Sequence, residues 1–274
     1  MPCALLDSET RVRQYCALVF IYASLEQHKR EAALTATSTD INSLCLDDKR
    51  IRRADCAHCA IRNKMLFADL DLASVSGLLE TVTNTKLAET STIYRQGEPP
   101  AAIYSLRSGL IKLSKVSRSG DIRIVRLLGP GAAIGLETLL EHPYEHTAET
   151  IGSADVCRIP APILRQLTKL QPQIYQRLMQ QWSRHIEIAD KHLLDLSTGP
   201  VRDRVLRLMA MLDDIGKGPG LPLLLPLNQD CAALLGARIE SVSRCMAEFK
   251  REGILSRDGS HGWQFTPPSP TDPG

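Results

Sequence analysis

The chain has 274 residues, 43% of them hydrophobic and 23% charged, with a formal net charge of +2. That apolar content can bury a core in one large domain or two small ones. The near-zero charge excludes nucleic-acid binding by bulk charge, so any such face must be local.

Residues 1–54 read as a leader. Its longest apolar run, "YCALVFIYASL", is too short to span a bilayer. "RVRQY" places basic residues before it, but no small-residue cleavage site follows. A cytoplasmic protein without a membrane partner is expected. The eight cysteines do not make a disulfide scaffold in a chain of this size; clustered cysteines in a reducing compartment point to metal or redox chemistry. Cys3 and Cys16 fit no pattern, while Cys45 precedes the stretch "RRADCAHCAIRNKM", where Cys56 and Cys59 form a C-x2-C pair. Such a pair serves a cluster, half a zinc site, a thiol–disulfide switch, or nothing. Lys49, Arg50, Arg52 and Arg53 stand close by, and nearby cations are expected to lower thiol pKa values.

Residues 55–170 are expected to form a sensory domain. "FADLDLASVSGLLETV" predicts a short amphipathic helix. From about 90 to 160, short alternating or apolar runs are punctuated by Gly97, Gly109, Gly120, Gly129 and Gly131, with "SRSGD" as a hairpin turn. This spacing predicts a compact antiparallel roll, and a generic sandwich fits it as well. Cys157, in the apolar run "DVCRIP", is either a small core residue or a ligand.

Residues 171–197 predict a long helix after Pro172. Tyr175, Met179, Trp182, Ile186, Ala189, Leu193 and Leu196 recur at steps of four and three. So narrow a seam favours self-association, because a helix packed on its own domain needs a broader stripe. At ~1.5 Å per residue the helix is about 30 Å or longer, enough for a dimer spine. "STGP" then breaks it as a hinge.

Residues 198–265 predict a DNA-reading domain, and 266–274 a tail. "VRDRVLRLMAMLDDIG" is helical and "LPLLLPL" strand-like. Asn228 is expected to cap a helix that ends at Gly236, and "RIESVSRCMAEFKREG" supplies a second. Two short helices about a glycine turn make a helix-turn-helix. Val242, Met246 and Phe249 share one face of the second helix. The other face carries Glu240, Ser243, Arg244 and Glu248, side chains able to read base edges. A following hairpin with Arg257 and His261 suits phosphate contact as a wing.

"IESVSRCMAEFKREGIL" resembles the recognition helix of the Crp/Fnr superfamily of bacterial transcription regulators. Glu240, Ser243 and Arg244 match the Fnr branch. "YRQGEPPAAIYSLRSGLIKL" and "LGPGAAIGLETLL" are similar to the family's cyclic-nucleotide-binding-like domain. The resemblance covers roughly 55–265. It implies an α+β chain: an N-terminal β-roll, a long dimerisation helix and a C-terminal winged helix-turn-helix. It further implies a homodimer reading a TTGAT-like palindrome in double-stranded DNA through Glu240, Ser243 and Arg244, with Met179, Trp182, Ile186, Ala189 and Leu193 at the interface and RNA polymerase as a partner. Cyclic-AMP receptors of the family carry an Arg-Ser pair where this chain reads His146-Thr147, so cyclic nucleotide is not expected. Fnr-branch sensors hold a [4Fe–4S] cluster on three N-terminal cysteines and one internal one. Cys56, Cys59 and Cys157 match three positions; Met65 stands near the place of the fourth, and Cys45 is the substitute. A different input (haem or nitric oxide, a thiol switch, or none) remains the alternative. No nucleophile–base set, P-loop or dinucleotide fingerprint suggests an enzyme.

Overall fold

Short strands divided by turns pair here into a single antiparallel sheet, seen in a computed structural model that describes residues 51–216, 223–258 and 262–268. The first strands are β1 (Ile51–Arg53), β2 (Thr83–Leu87), β3 (Thr92–Tyr94) and β4 (Ala102–Val116). They are followed by β5 (Ile122–Leu128), β6 (Ala133–Ile134) and β7 (Thr147–Pro160). The order is β1-β2-β7-β4-β5, with β3 on β7 and β6 on β4. β1 belongs to this sheet through Arg52 opposite Asn84, so the roll begins before residue 55. The "SRSGD" turn closes with Ser117 N–H on Asp121 O at 2.8 Å, and Gly120 takes a φ of 89°.

The expected helix over 67–82 shrinks to α1 (Ser76–Leu79). Ala73 N–H bonds the Asp71 carboxylate and Ser74 Oγ bonds Asp71 O, so local side-chain bonds compete with the helix. Its apolar residues are still buried: Leu66, Phe67, Leu70, Val75 and Leu79 join one core with Ile103, Ile159, Ile174 and Leu178.

α2 (Ala161–Leu170) leads into α3 (Gln173–Ser197). α3 buries Ile174, Leu178, His185, His192 and Leu196 on its own chain, the two apolar residues near its start worth about 2 kcal/mol each. A second stripe stays outside: Tyr175, Met179, Ile186 and Leu193 are each more than half exposed, and Trp182 and Ala189 are half-buried beside it. Leu196 is 1% exposed, so the expected seam ends at Leu193. Gly199, at φ 85°, turns the chain after Thr198.

α4 (Val201–Gly216), α5 (Asn228–Leu235) and α6 (Ile239–Arg251) build the C-terminal helices, and β8 (Leu255–Asp258) pairs with β9 (Gly262–Phe265) as a hairpin. "LPLLLPL" is no strand in its described part; only Leu223 bridges Trp263, since Pro226 lacks a donor. These helices share a core with Leu110, Ile124, Leu127 and Ile151 of the roll. Among the described residues no helix is long and apolar enough to cross a membrane.

Candidate functional site

Three places matter: a cysteine cleft, the interior of the roll, and the helix-turn-helix.

The pairing of β7 sets the first. Cys157 lies opposite Asn84 of β2 and Ser105 of β4. The C-x2-C segment follows β1 and closes against this sheet, with Arg62 N–H on Cys59 O at 3.0 Å. Cys56, Cys59 and Cys157 thereby line one cleft, with Arg62, Arg107 and Met65. The cleft is shallow and partly open to solvent. All three are free thiols. Burial raises the Cys56 thiol pKa, helped by the charges of Cys59 and Asp55, against a smaller opposing pull from Arg107 and Arg62. Burial pushes Cys157 up to about 12. The lowering expected from flanking cations is therefore not found: Arg53 is bound to Glu80 at 2.8 Å, and burial outweighs charge. Lys49, Arg50 and Cys45 lie outside the described residues. His58 turns away, 86% exposed and 3.0 Å from Asp55.

Among the described residues no three histidine, cysteine or acidic side chains converge on a single ion. A [4Fe–4S] cluster asks for something else, since each thiolate takes a different iron and sulfurs must ring a cavity rather than meet at a point. Cys56, Cys59 and Cys157, three thiols lining one cleft, are the described residues that would hold such a group.

Inside the roll a chain of polar side chains runs from Glu137 to α3. His146 Nδ1 donates to Glu137 Oε1 at 3.3 Å, and Arg126 Nη2 donates to His146 Nε2 at 2.8 Å. Arg126 Nη1 also reaches His185 Nδ1 of α3 at 3.4 Å. Gln181 of α3 bonds Ala133 N–H and Gly131 O at 3.2 and 3.1 Å. Burial, then the Arg126 charge, drives the His185 pKa down to about 4. Burial, the largest single influence, raises the Glu137 carboxyl pKa, but the His146 bond and charge together with backbone N–H bonds outweigh it and hold the pKa low. Thr147, beside His146, accepts from Gln96 N–H at 3.1 Å.

In the helix-turn-helix, Val242, Met246 and Phe249 are buried on one side of α6. Glu240 and Arg244 are exposed on the other, with Ser243 half-buried between. The turn needs Gly236, which sits at φ 61° with the Arg123 guanidinium of β5 against it. Asn228 is not the cap of α5; Leu227 holds that position without a side-chain bond. Asn228 is the first helical residue, and its Nδ2 donates to Ser243 Oγ at 2.9 Å. Arg257 of the wing lies 4.7 Å from the centre of the Trp263 ring, and Lys250 at the end of α6 lies 4.6 Å from it. His261 lies outside the described residues.

Sequence reasoning missed Asn84, Arg107 and Asp155 at the cleft and Arg126, Glu137 and His185 in the roll. One signal was available: Asp155 stands two residues before Cys157 on one strand, hence on the same face.

Comparison with known proteins agrees with this architecture. A cyclic nucleotide-binding domain family matches residues 84–170, and a Crp-like helix-turn-helix domain family matches 203–266. The chain is 27% identical over 213 residues to the transcriptional activator protein FnrA of Stutzerimonas stutzeri, covering 76% of this chain and 87% of that one. It is 25% identical over 216 residues to the transcriptional activator protein anr of Pseudomonas aeruginosa, covering 77% and 88%. The fold is similar to that of FixK2 from Bradyrhizobium japonicum, with a TM-score of 0.58 and 22% identity over 68% of this chain and 92% of that one. With a cyclic-nucleotide-binding-like roll ahead of a Crp-like helix-turn-helix, the chain belongs to the Crp/Fnr family of DNA-binding transcription regulators.

Proposed function

We propose that this regulator is an Fnr-type redox sensor, a homodimer that reads a TTGAT-like palindrome and holds a [4Fe–4S] cluster on Cys45, Cys56, Cys59 and Cys157. The observation that carries the reading is the meeting of Cys56, Cys59 and Cys157 around one cleft. When bound, the group would supply an oxidant-sensitive centre that ties Cys56 and Cys59 to the sheet at Cys157.

A physical route runs from the cleft to the dimer helix. Arg62, three residues after Cys59, donates to Leu70 O at 2.9 Å. Leu66, Phe67 and Leu70 pack in one core with Ile174, Leu178 and Trp182 of α3. Asp69 pairs with Arg177 on the same helix. Anchored cysteines hold this segment, and the segment holds α3. Released cysteines let it relax, and the exposed Met179, Ile186 and Leu193 stripe loses its fixed course. Dimer and monomer must differ in this anchoring for the signal to reach DNA. Glu240, Ser243 and Arg244 then read bases from two successive major grooves, and RNA polymerase is the expected further partner.

The test is fluorescence anisotropy with a TTGAT-N4-ATCAA duplex, using anaerobically prepared protein before and after air. Tight binding that weakens in air, with Arg244→Ala costing about 1–3 kcal/mol per half-site, supports the reading. Equal affinity in both states, with the cysteines intact, contradicts redox control.

A further inference from the structure

Beside the cleft, one carboxylate faces two hydrogen-bond donors, one of them a residue of the cleft lining and the other next to the Cys157 sulfur. β4 carries a bulge where its pairing with β7 steps from Leu106 opposite Val156 to Ser108 opposite Asp155. Arg107 is the extra residue. A bulge re-aims the side chain it carries and is over-represented beside functional sites. Here the Arg107 side chain is 29% exposed and lines the cysteine cleft together with Cys56, Cys59 and Cys157. Its Nη1 is also 3.6 Å from Asp155 Oδ2. The other Asp155 oxygen takes a bond from Asn84 Nδ2. That same amide reaches the Cys157 sulfur at 4.0 Å and Val156 O at 3.3 Å. Asp155 and Cys157 share a face of β7, and Asn84 is the residue paired with Cys157 across β2. Three strands thus converge on the sulfurs.

We propose that Asp155 positions Arg107 and Asn84 as donors to the sulfurs of Cys59 and Cys157, and that this trio sets the reduction potential of the cluster the cysteines hold. The proposal rests on the cluster reading above. Hydrogen bonds to the sulfurs and net charge are among the factors that set such potentials, and partners beyond the ligands orient and tune them. The Arg107 guanidinium is the one full positive charge among the three, and reduction adds an electron to a group already negative with four thiolates. Arg107 therefore favours the reduced state, and its removal disfavours it.

The experiment is a mediated dithionite titration of full-length, anaerobically prepared protein, each variant first checked for iron and sulfide. Arg107→Gln should lower the reduced-to-oxidised ratio at a fixed potential about tenfold, ~59 mV for a one-electron couple. Arg107→Lys keeps the charge without the fork and should fall between Arg107→Gln and the wild type. Asn84→Leu should shift the ratio in the same direction and less. If Arg107→Gln comes out without iron, Arg107→Lys and Asn84→Leu carry the comparison. Variants with full iron and an unmoved potential overturn the trio and leave the cluster reading standing. A wild-type protein without iron overturns the cluster reading and the trio with it.

Discussion

The roll offers two places where a signal could enter, and the chain treats them in opposite ways. In the interior, Glu137, His146, Arg126 and His185 form one chain of side-chain hydrogen bonds. Over β7, the middle strand of the sheet, Cys56, Cys59 and Cys157 line one cleft as free thiols. An interior chain that ties β5 to α3 reads as a structural strut. The cleft brings three thiols together beside Arg62 and Arg107. Within one domain, the difference teaches that one set of side chains can close on itself while another is left facing a cleft.

The largest effect expected breaks the comparison at the cleft. Cys157→Ser should bring iron and sulfide of the anaerobically purified protein to background, while His146→Ala should leave both at the wild-type level. Iron retained in Cys157→Ser would move the site elsewhere.

The next effect sharpens the interior. His185 has a pKa of about 4 in the folded chain against an ordinary 6.5. Between those values the unfolded chain binds the extra proton, so stability is full above about pH 6.5 and falls as the pH drops toward 4. The loss is on the order of 3 kcal/mol. Urea unfolding from pH 7 to 4 should show this slope, and His185→Gln should flatten it. His192, buried and lowered as well, keeps a remainder. An equal slope in both proteins would contradict a neutral, buried His185.

The smallest effect expected is none. Cyclic AMP in large excess should leave the melting temperature unmoved, because a ligand stabilises only by binding the folded state. A rise that grows with concentration would show that the interior opens and that the strut is a pocket.

Much of the fold was legible in the sequence. The seam from Tyr175 to Leu193 and the alternation of Val242, Met246 and Phe249 are local periodicities, and the structure follows them. The helix over 67–82 was misread because Asp71 and Ser74 bond the backbone locally, which an apolar pattern does not show. Asn228 was misread because its amide bonds Ser243, a partner in the next helix. The cysteine pair was visible as a spacing, and so was Cys157 as a resemblance. Arg107 and Asn84 were not, because their place depends on the register of β4 and β2 against β7 and on a bulge. Register comes from long-range pairing, and a shift of one residue turns every side chain to the other face.

The most direct measurement is anaerobic purification followed by a visible absorption spectrum with iron and acid-labile sulfide assays, before and after air. The account predicts a broad visible absorption that bleaches in air, with about four iron and four sulfide per subunit. A colourless, iron-free protein that still binds the palindrome would contradict it.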